Sequence, residues 1–323
     1  MGRYGMHIRS GMVISIVTPS YNQGQFIAET IESVISQDGN FFLDYIIVDG
    51  GSTDSSITVI KKYEALLASK EWVVRCNGVK FRWLSERDEG QTDAIMKGFR
   101  LAEGEVLAWL NSDDTYTPGA IRRLVDYLRA VPDASIVYGK THFVSEAGKM
   151  VGSYPTRPFD AELLPVFNFI SQPSVFFRRR VLDEVGGLDL TLQYVMDYDF
   201  WIRASRVFTF CYLDDYLSTY RLHQESKTIS DKASLGNNKE ALDTVFRHYS
   251  WAPINRIYVY CRQIVRARLH VDSTIVTTFL SILYSLYKYL AVNKRIRFAD
   301  IKMINKTNVK RASQDLMDIY REY

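Results

Sequence analysis

Two adjacent carboxylates, Asp113 and Asp114, follow an apolar run of strand length at residues 105–110. In an open α/β sheet, side chains at the carboxyl end of a strand face the crevice where ligands bind. Hard carboxylate oxygens at such a place suit a divalent cation that carries a diphosphate. The same pair also fits a turn or a helix N-cap, so its interpretation depends on which other residues reach that edge.

Two other loops carry polar residues directly after strand-like segments. Thr18 and Pro19 end a β-branched segment, and Asp49 ends the next apolar one. A carboxylate such as Asp49 can accept the N–H of a nucleobase, and the two glycines that follow it let the backbone come close to a ligand. Taken alone, this sequence is also typical of a strand-ending turn.

Two further segments carry charged groups at predicted helix starts. Arg87, which can neutralise phosphate charge, and Asp88 stand before a helix that begins near Gly90, and the N-terminus of a helix favours anions. Asp197 stands in an aromatic setting, where burial can raise the pKa of a carboxyl group toward that of a general base. For both segments, an ordinary acidic helix start is the alternative.

Strand and helix patterns alternate through the first half of the chain, which predicts a doubly wound, mostly parallel α/β sheet. The predicted strands are 13–18, 45–48, 80–84, 105–110 and 135–138, and the helices between them are 25–36, a segment carrying residues 57–67, 91–101 and 118–129. A hairpin with a turn at 148–149 follows. Short strands are predicted at 174–177 and 208–213, and short helices at 179–185 and 200–207.

The composition is that of an ordinary soluble protein. Of 323 residues, 47% are hydrophobic and 24% charged, and a net charge of +3 gives no reason to expect a nucleic-acid partner. The cysteines, Cys76, Cys211 and Cys261, are widely separated, which favours a reducing compartment. Residues 1–11 lack the apolar core of a signal peptide. These features predict a cytoplasmic protein.

The C-terminal part, from about residue 226 to 323, is predicted to be a helical and basic extension. Between residues 262 and 297, apolar residues at helical spacing lie between clusters of Arg and Lys. Such a stripe can lie on an anionic membrane surface or pack against a catalytic domain, and both remain open. The most apolar stretch, 273–287, is too short for a spanning helix and contains several hydroxyl residues.

Taken in order, these motifs resemble the family 2 glycosyltransferases, which have the GT-A fold. The resemblance covers residues 12–226, with the catalytic domain expected at 12–225. The segments that carry it are 15–22 (SIVTPSYN), 48–54 (VDGGSTD), 111–114 (NSDD), 186–189 (GGLD) and 197–203 (DYDFWIR).

The resemblance implies a nucleotide-sugar donor bound by the first three loops. Asp49 is expected to recognise the base, with Thr18 and Pro19 as walls of that pocket. Asp88 is expected to add a nucleotide contact and Arg87 to approach the diphosphate.

The resemblance also implies a metal ion and a catalytic base. Asp114 is expected to coordinate Mg²⁺ or Mn²⁺, and Asp113 to hold the ribose or assist at the metal. His223 corresponds to a late histidine that some relatives place near the metal or diphosphate. Asp197 aligns with the family's general base, and this alignment favours Asp197 over Asp199 as the base of this chain.

Two positions depart from the family pattern. Asn111 stands where many relatives have Asp, and Met196 where a Glu often precedes the base. A catalytically silent module that binds nucleotide sugar or glycan therefore remains an alternative. A nucleotidyltransferase on a related sheet is a weaker one, because residues 20–24 lack a glycine-rich phosphate loop with a basic residue.

The function that the resemblance implies is inverting transfer of a sugar, with a UDP-sugar as the favoured donor. The expected acceptor is a hydroxyl of a glycan or of a lipid-linked molecule, in the assembly of a cell-surface polysaccharide. A lipid-linked acceptor would suit peripheral contact between the C-terminal helices and the inner face of the cell membrane.

Overall fold

The computed structural model describes residues 11–224, 231–269, 274–297 and 300. The strands are β1 (Met12–Ser20), β2 (Gly39–Asp49), β3 (Cys76–Ser85), β4 (Val106–Trp109), β5 (Thr115–Tyr116), β6 (Ile136–Ser145), β7 (Met150–Ser153), β8 (Val175–Arg178) and β9 (Phe210–Leu222). The helices are α1 (Ile27–Ile35), α2 (Ser56–Ala68), α3 (Gln91–Leu101), α4 (Ala120–Ala130), α5 (Arg179–Val185), α6 (Met196–Ala204), α7 (Asp231–Tyr249), α8 (Ile254–Leu269) and α9 (Thr274–Asn293).

The chain forms two compact units. The first comprises Met1–Val137 and Val175–Asp183, and the second comprises Tyr138–Ser174 and Glu184–Tyr323. In the first unit the strand order is β3-β2-β1-β4-β8, in which β1 pairs in parallel with β2 and β4, β2 pairs in parallel with β3, and β8 is antiparallel to β4. The prediction of a mostly parallel α/β sheet is therefore confirmed.

Burial of both faces explains why the central strands read as continuous apolar runs. In β1, Ile14, Ile16 and Val17 are fully buried. Helix α3 approaches this strand closely at Gly98, where an added Cβ would lie 2.3 Å from a methyl group of Val17. The close contact packs the C-terminal half of α3 directly against β1.

The register of the parallel strands aligns their carboxyl ends at one edge. Ser20 at the end of β1 is opposite Asp49 at the end of β2, and Asp49 is opposite Ser85 at the end of β3. Trp109, the last residue of β4, pairs with Val17. The loops that the sequence singled out after these strands therefore start from the same edge.

The second unit contains β6 with β7 and β9 beside it. The predicted hairpin turn is present between β6 and β7, and Gly148 adopts a φ of +78° there, in the left-handed region that glycine tolerates. The C-terminal helices share their own apolar core, formed by Leu242, Ala252, Ile257, Cys261 and Tyr289.

Several element bounds differ from the sequence-based expectation. Helix α6 begins at Met196 instead of residue 200, because the acids of its first turn suit a helix N-terminus although they interrupt the apolar pattern. Strand β9 extends to Leu222, nine residues beyond the predicted end at residue 213. The expected domain boundary at 225–226 and most of the segment 1–11 lie outside the described residues.

Helix α9 is longer than the apolar stretch that the sequence suggested. It runs for 20 residues, and Ile275–Asn293 is long and apolar enough, by length and composition, to cross a membrane. The expectation that this stretch is too short for a spanning helix, based on residues 273–287, was therefore wrong about its length.

Candidate functional site

The loops after β1 and β2 are hydrogen-bonded to each other. The backbone N–H of Asn22 donates to Ser52 Oγ at 2.8 Å, and the N–H of Thr53 donates to Asn22 Oδ1 at 2.9 Å. Asn22 has a φ of +51°, a conformation that asparagine adopts more readily than most residues. These bonds give the two loops a defined shape before any ligand binds.

Asp49 is fully buried beneath its own loop. Its Oδ2 accepts hydrogen bonds from the N–H groups of Gly51 (3.0 Å) and Ser52 (2.8 Å) and from Ser85 Oγ (2.7 Å), and its Oδ1 accepts one from Ser52 Oγ (2.5 Å). The carboxylate therefore orders the loop between β2 and α2. The expected contact with a nucleobase stays a prediction, and Oδ1 is the oxygen with acceptor capacity left for it.

Asp88 lies directly against this loop. A Cβ added to Gly50 would come within 2.6 Å of Asp88 Oδ2, so the close approach depends on glycine. Asp88 Oδ1 accepts the N–H of Gly90 at 2.9 Å, just before α3. Arg87 is exposed, and its backbone passes beside Gly51. The structure therefore brings the second and third predicted loops together.

Thr18 and Pro19 are buried at the end of β1. The Thr18 hydroxyl shares a hydrogen bond of 3.1 Å with the Tyr45 hydroxyl, so its polar group serves the packing of the sheet. Tyr21, two residues after Pro19, is 60% exposed. Its exposed aromatic ring is of the kind that can stack on a planar ligand, and no pattern in the sequence marks it as exposed.

The acidic pair follows β4 and is held by its neighbours. Asp114 is buried, its N–H donates to the carbonyl of Asn111 at 3.1 Å, and its own carbonyl accepts from Thr30 Oγ1 at 2.8 Å. Asn111 Nδ2 lies 3.4 Å from Asp114 Oδ2, and Asn111 Oδ1 accepts from Gln91 Nε2 at 2.7 Å. The amide of Asn111 therefore links the acidic loop to the start of α3.

The carboxylates of this loop are the candidate ligands of a divalent cation. Among the residues that the structure describes, no three His, Cys, Asp or Glu side chains gather as a metal cage. Mg²⁺ is usually held by one or two carboxylates, with substrate phosphates and water as the other ligands. A buried Asp114 carboxylate with half-buried Asp113 beside it fits that arrangement. His223, buried just after β9, belongs to the second unit.

Asp197 stands in the first turn of α6, in the second unit, and is half-buried. Burial raises the pKa of its carboxyl group to about 6, the N–H groups of Tyr198 and Asp197 oppose that shift, and the negative charge of Glu240 adds to it. The group is ionised at neutral pH and its pKa lies close to that pH. A general base performs best under those conditions.

Asp199, two residues on, has a different environment. Its buried carboxylate pairs with Arg203 Nε at 2.8 Å, Arg247 Nη2 at 3.1 Å and His248 Nε2 at 2.7 Å. These contacts tie α6 to the end of α7. Alignment alone distinguished these two acids in the sequence. In the structure their environments differ, because the Asp199 carboxylate contacts Arg203, Arg247 and His248.

The comparisons with curated proteins find glycosyltransferases. An uncharacterised glycosyltransferase of Rickettsia conorii is 28% identical over 229 residues, which are 68% of this chain and 36% of that protein. Chondroitin synthase of Escherichia coli is 24% identical over 217 residues, which are 67% of this chain and 30% of that protein. The chain thus spans about a third of the length of these relatives.

Two solved structures show the fold. The S. aureus TarS structure with UDP-GlcNAc has a TM-score of 0.58 and 16% identity, covering 96% of this chain and 90% of that one. The mannosyltransferase PcManGT from Pyrobaculum calidifontis, with GDP-Man and Mn²⁺, has a TM-score of 0.53 and 13% identity, covering 97% and 86%. This likeness confirms the predicted GT-A fold.

The family follows from the match along the sequence. The profile of glycosyl transferase family 2 covers residues 15–186, from the interior of β1 to the end of α5, which is more than half of the chain. It includes the loops that contain Asp49, Asp88 and Asp114 and stops before Asp197. The chain belongs to glycosyl transferase family 2.

Proposed function

We propose that this protein is an inverting glycosyltransferase. It moves a sugar from a nucleotide-diphosphate sugar, with a UDP-sugar as the first donor to test, to a hydroxyl of a glycan or lipid-linked acceptor in cell-surface polysaccharide assembly. The observation that carries the proposal is the edge of a family 2 sheet at which Asp49, Asp88 and Asp114 lie on the loops that follow β2, β3 and β4. The complexes of TarS with UDP-GlcNAc and of PcManGT with GDP-Man support it.

The donor's nucleoside is proposed to bind at the loops after β1, β2 and β3. Asp49 and Asp88 supply the acceptor oxygens for the base and the sugar of the nucleotide, and Thr18 and Pro19 form the floor beside them. Arg87, exposed on the third loop, supplies positive charge toward the diphosphate. Because these loops are already hydrogen-bonded to one another, little conformational entropy is lost on binding.

The metal ion is proposed to bind at the acidic pair. Asp114 is the principal ligand and Asp113 assists, either at the ion or at the ribose, while His223 is the further candidate ligand. A bound Mg²⁺ or Mn²⁺ would neutralise the charge that develops on the leaving diphosphate. Asn111 keeps the acidic loop in place through its amide bonds to Asp114 and Gln91.

Asp197 is proposed to be the general base. It accepts the proton of the acceptor hydroxyl as that oxygen forms a bond to the anomeric carbon from the face opposite the nucleotide. The bond from the anomeric carbon to the diphosphate oxygen breaks, and its electron pair leaves with the nucleoside diphosphate. One displacement inverts the configuration, and a positioned base of this kind contributes about 10²–10⁴-fold to the rate.

Replacing Asp114 by alanine is expected to abolish the metal-dependent part of nucleotide binding. The variant removes a buried carboxylate that Mn²⁺ would use, so we expect the Kd of UDP in the presence of Mn²⁺ to rise to the Kd measured with EDTA. Isothermal titration of UDP with and without Mn²⁺ measures this difference.

The matched control for this titration is Asp126→Ala. Asp126 is an exposed carboxylate on α4 of the same unit, paired only loosely with Arg129 at 4.0 Å. Its removal should leave the Mn²⁺ effect at the wild-type value. An Asp114→Ala variant that kept the full Mn²⁺ effect would contradict the metal assignment.

The proposed activity is tested by a panel of nucleotide sugars incubated with Mn²⁺ and a glycan or lipid-linked acceptor extract. Sugar transfer releases nucleoside diphosphate in an acceptor-dependent manner. A nucleotidyltransferase would release pyrophosphate, and a silent binding module would bind a nucleotide sugar without releasing either product. Release of pyrophosphate, or binding without turnover across the panel, would overturn the proposal.

The protein is further proposed to be cytoplasmic and to contact an anionic membrane surface through α9. One face of this helix presents large apolar side chains that are 43–82% exposed: Ile275, Val276, Phe279, Ile282, Leu283, Leu286, Tyr287 and Leu290. The opposite face places Thr277, Ser281 and Ser285 toward the protein interior. The helix therefore has its apolar side outward, the reverse of a helix that packs on a soluble core.

The basic residues of this segment favour an anionic lipid surface as the partner of the apolar face. The segment 254–297 holds one acid, Asp272, and many basic residues, namely Arg256, Arg262, Arg266, Arg268, Lys288, Lys294, Arg295 and Arg297. An apolar helix face with basic flanks binds the headgroup region of anionic bilayers. This contact would hold the enzyme near a lipid-linked acceptor.

Introducing charge on the α9 face is expected to release the protein from vesicles. The double variant Phe279→Glu and Leu283→Glu makes two apolar side chains of this face anionic. Each would contribute about 1.5–3 kcal/mol when buried in the bilayer, so the partitioning of the protein onto vesicles should fall at least tenfold. Co-sedimentation with phosphatidylcholine vesicles, with and without phosphatidylglycerol, measures it.

The control for vesicle binding is Val73→Glu, a substitution at another exposed apolar residue in the first unit. It should bind vesicles that contain phosphatidylglycerol as the wild type does. Equal binding of the α9 double variant and the control would contradict the membrane contact. A wild-type dimer that the double variant dissociates would instead assign the face to a second copy of the chain.

A further inference from the structure

Glu240 on α7 binds the backbone immediately before the helix that carries Asp197. Its Oε1 accepts the N–H of Gln193 at 2.9 Å, and its Oε2 accepts the N–H groups of Tyr194 at 2.7 Å and Val195 at 2.9 Å. One carboxylate thus holds three consecutive peptide groups. These lie 45–47 residues away from Glu240 in sequence.

The contact anchors the backbone that leads into α6, since two of the three N–H groups precede the N-cap and the third belongs to the N-cap residue itself. The N-cap position is Val195, whose apolar side chain makes no capping hydrogen bond. Orphan N–H groups near a helix start must otherwise be satisfied by water, and hydrogen bonds to a carboxylate are roughly twice as strong as neutral ones. Glu240 therefore fixes where α6 begins, and Asp197 is the second residue of that helix.

We propose that Glu240 is a positioning residue for the general base, so that α7 contributes to catalysis through the backbone of residues 193–195. This inference rests on the proposed function, in which Asp197 is that base. It extends the catalytic apparatus beyond residues 15–186, where the family profile ends. Glu240 itself touches neither donor nor acceptor in this account.

The charge of Glu240 gives a signature that a purely structural role would lack. The charged and titratable groups that interact with Asp197 are Glu240, Tyr154 and Tyr198, and Arg256 interacts with both tyrosines. Burial is the main cause of the raised pKa of Asp197, and the negative charge of Glu240 raises it further. Removing that charge must lower the pKa of Asp197, so the acid limb of the activity profile should move to lower pH.

The test variant is Glu240→Gln, which keeps the shape but loses the charge and can offer only one acceptor oxygen to three N–H groups. We expect kcat to fall by up to about 10²-fold, as small displacements of a catalytic group do, with the KM for the donor unchanged. We also expect the acid limb of kcat against pH to shift to lower pH. A ¹³C NMR titration of the Asp197 carboxyl group measures the same shift independently of turnover.

Two variants complete the design. Asp243→Asn removes a carboxylate from α7 one turn away, where it is exposed and paired with Lys239 at 2.7 Å, and it should leave both kcat and the acid limb unchanged. Glu240→Asp keeps the charge on a shorter side chain, so kcat should fall while the acid limb stays in place. If Glu240→Gln does not fold, this second variant carries the test.

The outcomes separate this inference from the proposed function. Wild-type kcat in Glu240→Gln, or a lowered kcat without any shift of the Asp197 pKa, would overturn the positioning role. If Glu240→Gln does not fold, an unchanged kcat in Glu240→Asp would overturn the positioning role. Full turnover in Asp197→Asn would instead overturn the assignment of the base itself, whatever the Glu240 variants show.

Discussion

Replacing Asp197 by asparagine is expected to lower kcat by about 10²–10⁴-fold while the Kd of the nucleotide sugar stays near its wild-type value. An amide cannot accept the acceptor's proton, but it preserves the size and position of the side chain. Steady-state kinetics with the preferred donor, together with titration of that donor, measure the two quantities separately. Near-normal turnover in this variant would show that another group is the base.

The wild-type pH profile gives a second expectation for the same residue. Since the pKa of Asp197 is raised to about 6, this proposed base is protonated below that pH, and kcat should fall tenfold per pH unit there. Above pH 6 the ionised group is penalised by burial, so Asp197→Asn should unfold at a higher urea concentration than the wild type. That advantage should disappear below the ordinary pKa of 3.8, where the carboxyl group is neutral in both states.

Replacing Asp199 by alanine is expected to lower the free energy of unfolding by about 1.5–3 kcal/mol, because the arginines that lose their partner are partly exposed to solvent. Its buried carboxylate is the common partner of Arg203, Arg247 and His248. Removing it leaves the two arginines close together without their counter-charge and frees the end of α7 from α6. Urea unfolding at pH 7 measures the loss.

The control for Asp199 is the alanine variant of Asp197, two residues earlier in the same helix. Asp197 is half-buried and forms no salt bridge within the part of the chain that the structure describes. Its removal should cost no stability at pH 7 yet lower kcat by about 10²–10⁴-fold. Stability losses of equal size in the two variants would contradict the division of roles between these acids.

The sequence is sufficient to predict the donor-side architecture. The predicted strands 13–18, 45–48 and 80–84 end within two residues of the observed strands, and their carboxyl ends share one edge because parallel strands run in the same direction. The observed register aligns Ser20, Asp49 and Ser85 as that argument requires. Helix α3 was predicted within its observed bounds, since its apolar periodicity begins after Gly90 and ends before residue 102.

Long-range polar contacts account for what the sequence does not reveal. The four donors on Asp49 include Ser85 from the next strand, and nothing local indicates that the carboxylate is enclosed. The difference between Asp197 and Asp199 depends on Arg247 and His248, which are separated from Asp199 by 48 and 49 residues. Side chains that meet only through tertiary packing leave no periodic signal.

The orientation of α9 is a second feature that the sequence does not predict. Its periodicity predicts a helix with one apolar stripe but gives no information on which side faces the protein. The structure places the small hydroxyl side chains of Thr277, Ser281 and Ser285 inward. Serine can satisfy its hydroxyl within the helix, as the 2.6 Å bond from Ser281 Oγ to the Thr277 carbonyl does, so the polar face can be buried at little cost.

The most direct test of the account is the anomeric configuration of the product. With the donor that the panel identifies, ¹H NMR follows the anomeric proton of the transferred sugar together with release of the nucleoside diphosphate. The account predicts one nucleoside diphosphate for each glycosidic bond and a configuration opposite to that of the donor, with both signals appearing about 10²–10⁴-fold more slowly in Asp197→Asn. A product that retains the donor's configuration would contradict single displacement with Asp197 as the base.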